Sequence, residues 1–136
     1  MRRGDEKTGD LAASHDLGKD GLAPGQRTGK EGLGPTRLGE VSGRLPERGW
    51  RSLNLGRVAN THVKVFRVDP AGLPDEIHPA WAEALIMLDG EIQMKLDGVR
   101  CTLKAGDCIR IPENVRHAIL PGGHGAFVLV DPEGLV

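Results

Sequence analysis

Glu76, His78, Glu83 and His117 are the residues of this chain whose types and spacing suit the binding of a divalent ion. Imidazole nitrogens and carboxylate oxygens are the usual donors to borderline divalent metals. Two histidines with one carboxylate also leave coordination positions open to water and substrate. The residues fall in two clusters about 40 positions apart. The first reads Glu76-Ile77-His78, then Glu83, with Gly90 at a turn signal; the second reads Gly106, Pro112 and His117. Side chains alternate along an extended chain, so residues 76 and 78 share a face and can point into one interior. Such a set does chemistry only if separate segments carry it to one point.

The segments that must do this read as short strands. Residues 62–68 alternate, and 83–88 is a nearly continuous apolar run closed by Asp89-Gly90, a strong turn signal. Ile92, Met94 and Leu96 alternate with polar neighbours up to Asp97-Gly98, and Val99, Cys101 and Leu103 alternate up to Ala105-Gly106. Further strands fit 108–111, 115–120 and 126–130, the last closed by Asp131-Pro132. Strands spaced by about ten residues, with no convincing helix, predict an all-β barrel or sandwich. With two Phe, two Trp and no Tyr, a mainly aliphatic core is the expectation.

Residues 1–50 differ in kind. They hold 11 of the 20 glycines, with Pro24, Pro35 and Pro46, and isolated leucines that keep no period. Such a segment buries too little apolar surface to offset its ordering entropy and reads as a disordered or non-native leader, with the barrel domain over 51–136. An alternative makes Trp50, Leu53 and Leu55 a first strand docked on the barrel or on a partner subunit.

The 136 residues allow one domain at most. A formal charge of −1 advertises no basic face to nucleic acid or anionic lipid. No run of 18 apolar residues is present to span a membrane, and the charged start lacks the apolar stretch of a secretory signal. If the strands of Cys101 and Cys108 form a hairpin about Ala105, their sulfurs lie on opposite sheet faces, a poor disulfide geometry. Reduced thiols in a cytoplasmic protein are the expectation.

Over residues 58–132 the pattern resembles the cupin superfamily of small jelly-roll (double-stranded β-helix) barrels. Gly106-Asp-Cys-Ile-Arg-Ile-Pro112-Glu-Asn-Val-Arg-His117 matches the Gly, Pro and His positions of its second motif. The motif's turn glycine is Asn114 here, which tolerates the same left-handed backbone, and its final Asn is Pro121. His78, Glu83 and Gly90 fall at spacings allowed by the first motif, whose first His is Glu76 instead.

The resemblance implies a divalent metal held by His78, Glu83 and His117, with Glu76 as a fourth, oxygen ligand or a vacant corner. A further carboxylate hardens the set and favours Mn(II), Fe(II) or Zn(II) over Cu(I), with Ni(II) not distinguished from them. Two classes of function follow. One is a metal-dependent oxygenase, isomerase or decarboxylase acting on a small chelating molecule, with Glu76 or Glu83 as proton carrier. The other is a non-catalytic small-molecule binding or sensor barrel, with or without metal. A homodimer is the expected assembly, and a structural dimer in which the metal only staples the barrel is the weakest option. His15, His62 and His124 lie outside the motifs, Arg110 and Arg116 read as solvated, Cys108 has no base beside it, and Met87 and Met94 read as core.

Overall fold

The computed structural model describes residues 33–132; residues 1–32 and 133–136 lie outside it. One helix, α1 (Leu38–Arg44), is followed by eight strands: β1 (Ser52–Val58), β2 (Thr61–Arg67), β3 (Leu73–Glu76), β4 (Glu83–Leu96), β5 (Val99–Lys104), β6 (Cys108–Ile111), β7 (His117–Ile119) and β8 (His124–Pro132). The pairings are antiparallel throughout and run β1-β2-β8-β4-β7-β3, with β5 and β6 also bound to β4. This is the expected all-β jelly-roll barrel.

β4 organises the barrel. Glu83, Leu85 and Met87 point inward, then a bulge between Met87 and Asp89 shifts the phase, and Ile92 and Met94 become the buried positions. An inserted residue does this because side-chain direction alternates with a period of two. The turn expected at Asp89-Gly90 is therefore a bend inside one strand of 14 residues. Gly90 pairs with Gly125 at the bend. Gly90 has φ +77, and a Cβ there would run into the His124 carbonyl oxygen. Only glycine suits both the dihedral and the approach.

The cysteine argument needs a similar correction. Cys101 faces Met94 and Cys108 faces Ile86, so both strands lie on β4 and form no hairpin with each other. Both thiols are free, as expected.

The leader expected to reach residue 50 overlaps ordered chain. Val41 of α1 and Leu45 just beyond it are buried, and Leu45 packs with Val65 and Val128 on the outer sheet face. Arg67 donates to the Leu45 carbonyl at 2.9 Å. Asp69 then clamps the chain by accepting from the Gly49 amide at 2.7 Å. Trp50 drops into the interior, where its indole donates to the Gly72 carbonyl and its ring lies 6.2 Å from Phe127. Sequence periodicity missed this because the segment docks through single residues. The part of the leader over 1–32 lies outside the described residues. The alternative first strand is present as β1, which carries Leu53 and Leu55, with Trp50 just before it.

Candidate metal centre

Glu76 closes β3 directly opposite His117 of β7, so backbone pairing alone brings these two side chains together. His78 lies two residues past β3 in an irregular segment. Its carbonyl accepts from the Asn114 amide at 2.9 Å, and Asn114 has the left-handed φ of 65 that its replacement of a turn glycine requires. The loop of the second motif thereby holds the histidine of the first. Glu83 opens β4, whereas the part of β4 that pairs with His117 is at Leu96, so these two side chains meet across the barrel mouth rather than along a ladder.

The four side chains offer one donor atom each within 4.8 Å of one another. His78 Nε2 lies 2.9 Å from Glu76 Oε1 and 3.6 Å from Glu83 Oε2. His117 Nε2 lies 2.9 Å from Glu83 Oε2 and 3.9 Å from Glu76 Oε1. Side-chain exposure is 4% for Glu83, 7% for His117, 10% for His78 and 16% for Glu76, so the mouth is open chiefly on the Glu76 side.

The donors fit a cation. His117 Nδ1 is 2.9 Å from the Val115 carbonyl, which can only accept, so Nδ1 carries the proton and the lone pair of neutral His117 is on Nε2. In neutral His117 both Nε2 and the Glu83 Oε2 2.9 Å away are acceptors, so Nε2, like the buried Glu76 Oε2, has no hydrogen-bond partner. Lone pairs converging on one buried point are costly unless a proton or a metal sits there.

Titration reflects the same crowding. Burial raises the Glu76 pKa, with a further rise from the Glu83 charge, and the bond from His78 only partly offsets this. Burial works against protonated His78, yet the hydrogen bond to Glu76 and the fields of Glu83 and Glu76 outweigh it, so its pKa is raised. Burial likewise opposes the His117 imidazolium, and Glu83 reverses the sign by accepting the added proton.

The sequence reading did not assign Trp81 a role. Its indole stacks on the His78 ring at 4.7 Å and 19°, and its Nε1–H is buried without a partner. Among the described residues no hydrogen bond fixes the His78 ring from behind as Val115 fixes His117, so the stack supplies that support. An aromatic three residues after a candidate histidine was the available signal. Beside the donors lies a small cavity with room for the centre of about one water (≈ 10 Å³), lined by Leu73, Pro74, Leu85, Met94, Ala118 and Ile119 together with Glu76, Glu83 and His117.

The other sequence candidates stay outside. His124 is exposed at the start of β8, and His62 Nδ1 is 2.6 Å from Asn54 Nδ2. Arg110 pairs with Glu113 on the surface, and Cys108 is exposed. His15 lies outside the described residues. Met87 and Met94 are core, as expected, although Met94 also lines the cavity.

An antiparallel barrel whose mouth gathers histidines and carboxylates from separate strands is the architecture of the cupins. The chain belongs to that family: the cupin domain matches residues 64–131, half of its 136 residues. Solved structures share the fold. A cupin-2 domain containing protein from Shewanella frigidimarina aligns at 20% identity and TM-score 0.58, covering 62% of this chain and 81% of that one. A cupin superfamily protein from Desulfitobacterium hafniense aligns at 18% and 0.61, covering 74% and 91%. An RmlC-like cupin from Shewanella frigidimarina aligns at 23% and 0.53, covering 62% and 76%. No curated protein matches the sequence.

Proposed function

We propose that this cupin binds one divalent metal through Glu76, His78, Glu83 and His117 and presents it to a small organic ligand at the barrel mouth. The observation that supports this is the meeting of four donor atoms within 4.8 Å, with His117 Nε2 and Glu76 Oε2 buried and without hydrogen-bond partners. The donor types favour Mn, Fe, Zn or Ni over Cu(I). Bound there, the metal would supply Lewis-acid chemistry for isomerisation or decarboxylation, or dioxygen chemistry if it is iron. The chain's own contributions are separable. Val115 and Trp81 orient the imidazoles, the apolar lining keeps bulk water out, and Glu76, the most exposed of the four, is placed to move a proton to or from a bound enediol, hydroxy acid or sugar-like compound.

Metal content of the purified protein tests this, compared with a His117→Ala variant. The reading expects near-stoichiometric metal in the wild type and little in the variant. Equal, negligible metal in both would sink it.

A second reading is a non-catalytic, metal-free binding barrel. It is favoured by the two 2.9 Å carboxylate–imidazole contacts, which can neutralise each other when the histidines are protonated. We read the assembly as a homodimer, supported by the exposed apolar Val58, Ile86 and Val99. The cytoplasm as its compartment is supported by the two free thiols. Among the described residues, no helix is long and apolar enough to cross a membrane.

A further inference from the structure

We propose that the metal-loaded mouth selects an uncharged donor and turns small anions away, with Glu76 setting that preference. The inference deepens the metal-binding reading and rests on it. Its basis is a charge count. Glu76 and Glu83 bring two negative charges to a divalent ion, and two neutral imidazoles bring none, so the filled site has no net charge. An anion that leaves water to reach a neutral centre loses its hydration and gains little Coulomb attraction in return.

Among the described residues, the lining of the cavity restores no positive field. Apart from the donors themselves, the cavity beside the site is lined by Leu73, Pro74, Leu85, Met94, Ala118 and Ile119, none of which carries charge. Glu76, which also lines the cavity and whose Oε2 is buried without a hydrogen-bond partner, has its charge already counted and supplies no positive field. Lys64 is a buried cation, but its ammonium is matched by Asp131 at 3.8 Å. Arg110 is exposed and matched by Glu113 at 3.7 Å. The space holds a group about the size of one water (≈ 10 Å³) against apolar walls. That combination suits a hydroxyl or carbonyl oxygen on a short apolar body, and among chelating compounds it favours neutral diols and sugar-like molecules over hydroxy acids.

The test uses the full chain loaded with Co(II), whose visible absorption bands report changes in its ligands. Azide is the anionic probe and imidazole at pH 8 the neutral one. In the wild type, imidazole shifts the bands and azide does not. In Glu76→Gln, which removes one negative charge and keeps an oxygen donor, azide binds at least about tenfold more tightly than in wild type, while imidazole changes little. Should Glu76→Gln lose the cobalt, Glu76→His gives the same comparison with a stronger neutral donor. Azide binding equally to wild type and to the cobalt-loaded variant would overturn the inference while leaving the metal reading intact. Failure of the wild type to take up cobalt would remove both.

Discussion

Two layers of the same barrel interior, about 13 Å apart along β4, follow opposite rules. At one end Glu83 meets Glu76, His78 and His117, four ionisable groups held by a ladder pair, a loop tether, a strand end and a backbone carbonyl. Four residues further along, Met87 pairs with Phe127, which stacks on Phe66 at 5.6 Å with Trp50 close against both. The aromatic layer gains stability from dispersion and from apolar surface removed from water. The charged layer costs desolvation, and its ion contacts recover that cost only in part unless a cation joins them. The difference teaches where each job is done: the deep layer holds the fold and frees the mouth to keep a poorly satisfied cluster of possible donors.

The comparison breaks most visibly at Phe127. Phe127→Ala is expected to cost about 4 kcal/mol of folding stability in urea denaturation, with metal stoichiometry unchanged in the fraction that folds. The converse substitution, Glu83→Gln, is expected to weaken metal binding by about a hundredfold or more in calorimetric titration, by removing one ligand charge at a site where even a supporting partner is worth tenfold. Gly90→Ala joins the two layers, since the bend it permits reverses the phase that makes Glu83 and Met94 both inward-facing. It is expected to cost about 2 kcal/mol from its positive φ, and more if the His124 backbone cannot move. Trp81→Ala is expected to weaken metal binding about tenfold with little loss of stability, and Trp81→Phe to restore most of it, because a ring face rather than a donor supports His78.

The smallest effect is one of pH. Glu76, His78 and His117 all have raised values in the fold, so between their ordinary values of 4.5 and 6.5 and the raised ones the native metal-free protein binds more protons than the unfolded chain. Their contribution to stability is full below the ordinary values and is lost as pH rises through the raised ones. Metal must displace the same protons, so its affinity rises across that range. The melting-temperature gap between metal-loaded and metal-free protein is therefore expected to widen with pH in thermal scans; a constant gap would separate the cluster from the ion.

Much of the fold was legible because alternation and turn residues report strands directly, and Gly106, Pro112 and His117 fixed the register of one motif. Glu76 as an inward position followed from its spacing to His78, although only Glu76 ends a strand. The long β4 was misread at Asp89-Gly90 because a bulge and a hairpin use the same residues, and only the pairing of Gly90 with Gly125 distinguishes them. The partners of β5 and β6 depend on which strand is long enough to take both, a property of the whole sheet. The docking of 38–49 was not legible since its anchors, Leu45 and the Asp69 clamp on Gly49, are scattered in sequence and meet only in space, whereas Trp50 was already a candidate for docking on the barrel.

The most direct test is anomalous diffraction from crystals of the full chain grown with Mn(II) or Zn(II). The account predicts a single anomalous peak bounded by Glu76, His78, Glu83 and His117, at ligand distances of about 2.0–2.2 Å. A mouth with no peak, its imidazoles and carboxylates still in contact with one another at saturating metal, would contradict it.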